Sequence, residues 1–337
     1  MRIRLLKLAQ TLPLFLSKDN QPYVSCPTAI PLYSEDFFGW MLDQASKRLS
    51  YYPSQYEFCW VVRTLDQQAR QAKNKQPIFT RIARLSPKNY QLDLTTADHQ
   101  VINITGKRWQ HSRHFKAQFE RIEDHLPLPF PEPTKLTLGG CFQQIFQTSP
   151  EASDKLAIWL AEAILPNEKP PILIITGKAR EQAVEMLRNL IDPVNCPIIY
   201  TPGCPIELNR MALENRVLAF SLWDQPTEKL TRKLNSVHQG TRVRLMHSNK
   251  RKPKLHTTVE RPLLIASKEP ISINRNQISL EINEAPNTEI GKVFHALLDL
   301  IVKIIGQPVA KPKYLVQSAA AAPATNGANQ PQAIDSS

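Results

Sequence analysis

Residues 171–176 (Pro-Ile-Leu-Ile-Ile-Thr) form an unbroken apolar run, Gly177 and Lys178 follow, and residues 180–191 then place Ala183, Met186, Leu187 and Leu190 at helical spacing. A strand that is apolar on both faces and turns through glycine into a helix is the unit from which helix-covered parallel sheets are built. Residues 197–200, 217–220 and 263–266 are further short apolar runs. The expected core is therefore an α/β layer structure with a parallel sheet.

The turn after residue 176 also resembles half of a phosphate-binding loop. Such a loop reads Gly-x-x-x-x-Gly-Lys-Ser/Thr, because glycine-supported backbone N–H groups cradle the phosphates, the lysine reaches the terminal phosphates and the hydroxyl holds magnesium. Here the position of the second glycine is Gln182, followed by Ala183 and Val184. The expectation is a phosphate-loop framework without ATP hydrolysis, with Gly177, Lys178 and Arg180 as vestigial nucleotide-binding residues. No cofactor and no metal site are implied, and weak ATP binding through those three residues stays open.

Length and charge narrow the class. The 337 residues are 42% hydrophobic and carry a net charge of +12, which predicts two domains with a full core and favours a polyanionic partner. The five cysteines, at 26, 59, 141, 196 and 204, include no C-x-x-C pair. Neither a disulfide framework nor a zinc site follows from them, and reduced thiols fit a cytoplasmic protein. His111 and His114 sit three apart without carboxylate or thiol partners at ligand spacing, so they are expected to be solvated. Arg2, Arg4 and Lys7 precede a short apolar run that Pro13 interrupts. A first strand turning at residues 18–20 is expected there rather than a leader peptide. No run approaches the ~18 apolar residues of a membrane span.

Residues 1–107 are expected to be a smaller α+β domain. Ser34 and Ser54 are candidate caps for helices over residues 34–49 and 54–74. Residues 78–85 and 90–94 read as a hairpin, and 101–104 as a further strand. Residues 108–135 form a linker whose alternating prolines, at 127, 129, 131 and 133, exclude helix and central strand. Residues 136–310 are the phosphate-loop-like domain, opened by a helix capped by Ser149 with Pro150 in its first turn and closed by an apolar helix over 291–306. Residues 311–337, reduced from Ser318 onward to Ala, Pro, Asn, Gln and Ser with little apolar bulk, are expected to be a disordered tail.

Positive charge is concentrated in one window. Between residues 229 and 259 stand Lys229, Arg232, Lys233, Arg242, Arg244, Lys250, Arg251, Lys252 and Lys254, with no acidic residue. A helix over 227–239 would put Leu230, Leu234 and Val237 on one face and Lys229, Arg232 and Lys233 on another. Residues 242–246 and 255–259 then read as strands flanking a basic loop. Phosphate neutralisation by such a region gives strongly salt-dependent nucleic-acid binding, and no base-reading motif is present. It lacks the Trp/Phe/Leu face of an interfacial element, so a membrane partner is not expected. Most aromatics of the N-terminal part fall at core spacing, with Tyr51 and Tyr52 as candidates to stack on bases.

The order of segments over about residues 22–306 resembles the helicase-like P-loop ATPases of phages, plasmids and integrated elements, allied to viral primase-helicases and of the AAA+/superfamily 3 type. The residues that carry it are 82–94 with 101–104, the proline linker, 171–177, 187–193 (Leu-Arg-Asn-Leu-Ile-Asp-Pro), 216–220, 261–266 and 295–300. The resemblance places Arg180 near the usual lysine and Glu181 near the usual Ser/Thr. It puts Ser221 and Leu222, with Asp224 beyond, where an acidic strand end holds magnesium, and Ala266 where a polar residue meets the terminal phosphate. It also implies that the basic hairpin, through Lys250, Arg251, Lys252 and Lys254, grips DNA, and that the chain assembles with itself or with an active ATPase counterpart. The expected function is a non-hydrolysing replication accessory or regulator of a mobile element. Two alternatives stand beside it: a DNA-dependent ATPase using Lys178 or Arg180 on phosphate and Asp224 or Glu181 on metal, and a protein-interaction scaffold.

Overall fold

The computed structural model describes residues 1–165, 170–195, 198–200, 205–245, 255–274, 276–286 and 289–307. The chain opens with helix α1 (Arg2–Ala9), followed by strands β1 (Leu14–Ser17), β2 (Pro22–Cys26) and β3 (Thr28–Pro31), helices α2 (Glu35–Leu49) and α3 (Gln55–Ala72), and strand β4 (Lys75–Gln76). The strands form a sheet in the order β3-β2-β1-β4, with β1 antiparallel to β2 and parallel to β4. The expected N-terminal strand is thus confined to Leu14–Ser17, and the residues before it are helical. Leu5, Leu8 and Ala9 fall at helical spacing and bury together against Phe37, Met41, Val61 and Leu65 of α2 and α3. A strand would send Leu5 and Leu8 to opposite faces. Both serine caps are in place: Ser34 Oγ accepts from Phe37 N at 3.2 Å, and Ser54 and Glu57 form a reciprocal capping box.

The next strands are β5 (Ile78–Phe79), β6 (Ile82–Ser86), β7 (Asn89–Asp93), β8 (Val101–Thr105), β9 (Trp109–Ser112) and β10 (Gln118–Phe119). An antiparallel meander runs β6-β7-β8-β9, while β5 leaves it to pair in parallel with β10. The strand expected over 78–85 is therefore broken, at Arg81, whose φ of 66° lies in the left-handed region. The polar start of the linker carries β9 and β10, and its proline-rich part has no regular structure.

Then come α4 (Leu138–Phe146), α5 (Pro150–Ile164), β11 (Ile172–Thr176), α6 (Arg180–Ile191), β12 (Ile199–Tyr200), α7 (Pro205–Glu214), β13 (Leu218–Leu222) and α8 (Glu228–Gln239). The hairpin β14 (Thr241–Leu245) and β15 (Leu255–Val259), the strands β16 (Leu263–Ser267) and β17 (Gln277–Glu281), and α9 (Ile290–Gly306) complete the fold. Strands β12-β13-β16-β11-β17 form a wholly parallel sheet in that order. Alternation along its strands supplies two cores. Leu173, Ile175, Ala219, Leu264 and Ala266 join α5, α6 and α9 on one face. Ile172, Ile174, Leu218, Phe220, Leu263 and Ile265 meet Leu208, Met211, Leu234 and Val237 of α7 and α8 on the other.

Met1–Gly306 is one compact unit. Its largest apolar cluster draws Leu92, Ile102 and Ile104 of the meander together with Phe142, Leu160, Leu187 and Leu297, so the core runs across the proline-rich segment. The tail expected over 311–337 lies outside the described residues.

Candidate phosphate loop and nucleic-acid interface

Strand β11 lies inside the parallel sheet, between β16 and β17, and α/β folds bind ligands in the crevice outside the carboxyl ends of their strands, which for this strand is the turn after Thr176. Gly177, Lys178 and Ala179 stand at that point, with α6 starting at Arg180 as the helical pattern predicted. Gly177 has φ of 99°, a conformation in which a side chain is strained. A Cβ there would also collide with the Ile282 carbonyl and stand 2.9 Å from Asn283 Oδ1.

The groups that crowd Gly177 also take the loop's donors. Ala179 N donates to Ile282 O at 3.1 Å, and Lys178 N donates to Asn283 Oδ1 at 3.1 Å. Asn283 is oriented by a bond from its Nδ2 to Glu281 Oε1 at 3.0 Å, and Ile282 N donates to Thr176 O at 2.8 Å. Two amides that a phosphate cradle would point at an anion therefore point at neutral oxygens of the segment after β17. Arg180 folds back, its Nη1 donating to Gly177 O at 3.2 Å, with Nη2 3.7 Å from Glu181 Oε1. Lys178 is exposed.

Glu181 stands in the first turn of α6, where its charge complements the helix dipole. Ser221 Oγ donates to Glu181 Oε1 at 2.9 Å. The two positions where the resemblance expects magnesium ligands thus bond to each other. Asp224 is exposed beyond the end of β13, in a small depression shared with Trp223, Gln225, Lys268 and Glu269. Beside Ala266, β16 continues to the buried Ser267, whose Oγ donates to Glu269 O at 2.6 Å. The structure brings Gly177 and Arg180 together and leaves Asp224 apart from them on a different loop. Ile282 and Asn283 were not singled out in the sequence, although Ile278, Leu280 and Ile282 alternate with polar residues, a period-2 signal for the strand that delivers them.

The basic helix adopts the expected face. Leu234 and Val237 are buried with Leu230 packed beside them; Lys229 and Arg232 are exposed and Lys233 is half-buried. Thr227 caps the helix, and Glu228, just outside the acid-free window, lies 3.4 Å from Arg232. The antiparallel pairing of β14 with β15 matches the expected hairpin. Arg242 and Arg244 lie on β14, their side chains outside what the structure describes. Lys250, Arg251, Lys252 and Lys254 also lie outside the described residues.

A buried ionic network adjoins the sheet. Arg81 and Asp192 side chains are each 1% exposed and meet at 2.8 Å. Arg81 also donates to Thr95 Oγ1 and Pro193 O, both at 2.6 Å. Asp192 Oδ2 accepts from Arg216 N at 2.6 Å. Burial, then the neighbouring Arg261, brings the Arg216 guanidinium down to about 10, and burial brings Arg261 down to about 10. His125 lies 3.8 Å from Asp192, and burial holds its imidazole below the ordinary value. These contacts join the turn before β6 to the end of α6, which is a structural rather than a chemical task.

His111 and His114 are exposed, His111 on β9 stacked on Phe130 with centroids 4.7 Å apart. Among the described residues no group of three His, Cys, Asp or Glu could hold a metal ion. Cys26, Cys59 and Cys141 are free thiols.

No family model and no curated protein matches the chain. Among solved structures, it is similar to the apo A form of the NrS-1 C-terminal region, with a TM-score of 0.44 and 11% identity over 91% of this chain and 69% of that one. A second structure of that region, residues 305–718, gives 0.42 and 11% over 92% and 69%. A JCV helicase bound to a thiazolopyridine acetamide gives 0.24 and 12% over 54% of this chain and 64% of that one.

Proposed function

We propose that this chain is a non-hydrolysing, helicase-like α/β protein of a mobile element that binds DNA through the face of α8 and the β14–β15 hairpin, acting as an accessory or regulator of replication. The observation that carries the loss of hydrolysis is the occupation of the Lys178 and Ala179 amides by Asn283 and Ile282. Phosphoryl transfer depends on positioning and charge stabilisation, and here the donors are engaged and a carboxylate, Glu181, stands at the helix entrance. The net charge of +12 supports the polyanionic partner. No described helix is long and apolar enough to cross a membrane.

The test has two parts. Purified protein with ATP and magnesium should release no phosphate above background, with or without DNA; turnover abolished by Lys178→Ala would replace this reading with that of an active enzyme. Binding to DNA should fall steeply with salt, and replacing Lys250, Arg251, Lys252 and Lys254 with alanine should lower the salt slope by about 3 to 4. An unchanged slope and affinity would favour a protein-interaction scaffold.

A further inference from the structure

Helices α1 and α3 meet at the opposite end of the sequence from the basic hairpin, and their junction combines two kinds of group. Arg2, Ile3, Arg4, Lys7, Glu57 and Trp60 line an open groove of about 700 Å³. Tyr56 stands at its side, 66% exposed, and the Arg2 guanidinium lies over its ring at 4.6 Å from the centroid. Arg2, Arg4 and Lys7 are the groove's cationic side chains, Met1 adds the terminal ammonium, and Glu57 is its one carboxylate. That carboxylate, Glu57 Oε2, already accepts from Tyr51 Oη at 2.6 Å and from Ser54 N at 3.1 Å, and these bonds hold its pKa below the ordinary carboxylate range. Tyr51, one of the two stacking candidates of the sequence, is thereby committed to the cap. Tyr52, the other, is 74% exposed and its Oη accepts from Ser46 Oγ at 3.1 Å; Tyr56, also exposed, is the ring that lies beside Arg2.

We propose that the α1–α3 groove is a second nucleic-acid site, specific for single strands, in which an unpaired base stacks on the Tyr56–Arg2 pair while Arg4 and Lys7 neutralise adjacent phosphates. A flat ring backed by a guanidinium offers stacking surface to any base, and a cationic margin tracks the backbone. A duplex presents its phosphates to such a groove and keeps its bases stacked internally, so it gains from Arg4 and Lys7 and gains nothing from Tyr56. The site shares only its ligand class with the proposed hairpin interface and stands on its own residues.

The test is fluorescence anisotropy of the full chain with labelled oligothymidine and with a labelled duplex. Tyr56→Ala should weaken the single strand about fivefold or more and leave the duplex unchanged, whereas Tyr56→Phe should behave as wild type. Because Tyr56 is exposed, the alanine variant should melt with the parent. Replacing Arg4 and Lys7 with glutamine should lower the salt slope for oligothymidine by about 1.4. Removing the four hairpin charges should weaken both ligands, so a defect confined to single strands reports on this groove alone. The proposal falls if Tyr56→Ala keeps its single-strand affinity, if it weakens both ligands equally, or if the glutamine variant loses only binding to phosphatidylserine vesicles, which would make the basic helix a lipid contact.

Discussion

The residue on which most depends locally is Asp192. It sits between Arg81 and the Arg216 amide at 1% exposure, so its removal strands a guanidinium that the interior cannot solvate. Asp192→Ala should cost about 3 to 5 kcal/mol in urea unfolding, with replacement of both Asp192 and Arg81 by apolar residues costing less than the single change. His125 adds a pH dependence. Its folded pKa lies below its ordinary value because burial disfavours the imidazolium, facing Asp192, Arg81 and Asp93 from three segments. The unfolded chain therefore binds the proton more readily, and stability is fully present above about pH 6.5 and is lost as pH falls below it. The melting temperature of the parent should drop on acidification through that range, and His125→Gln should flatten the drop. None of this was legible in the sequence. Residues 187–193 marked the end of a helix, but a charged residue announces its partner only when the fold brings Arg81 to it, 111 positions away.

At the scale of elements, local rules served well where caps and periodicity agreed. Ser34, Ser54, Ser149 and Thr227 each start the helix expected of them, and Ser34→Ala should cost about 1 kcal/mol in chemical denaturation. The strand of Gly177, its helix and the basic hairpin were likewise readable, because apolar runs and turn residues there point the same way. The N-terminal helix was misread because a short apolar run fits either period until its packing partners are known. The bonds made by the Lys178 and Ala179 amides were also out of reach, since Asn283 reaches Lys178 from 105 residues away. They make Gly177 sensitive: Gly177→Ala combines a left-handed φ with a collision against Ile282 and should cost more than about 1 kcal/mol, read as a lowered urea midpoint.

For the molecule as a whole, sequence composition divided the chain at its prolines, while packing carries one apolar cluster from β7 and β8 through to α9. Proline content reports what the backbone of a segment cannot be; it is silent on which side chains meet across it. Leu128, inside that segment, is 4% exposed. Unfolding followed by tryptophan fluorescence and by far-ultraviolet circular dichroism should therefore give coincident transitions over Met1–Gly306. Two separated transitions would mean that the parts on either side of residues 108–135 fold independently.

The oxygens of Ile282 and Asn283 are tethered to the donors they satisfy, and a tethered partner competes at an effective concentration in the millimolar range or above. A free anion approaching Lys178 and Ala179 must outbid a neighbour that never diffuses away. On the proposed reading, the turn's resting state is set by the chain's own connectivity.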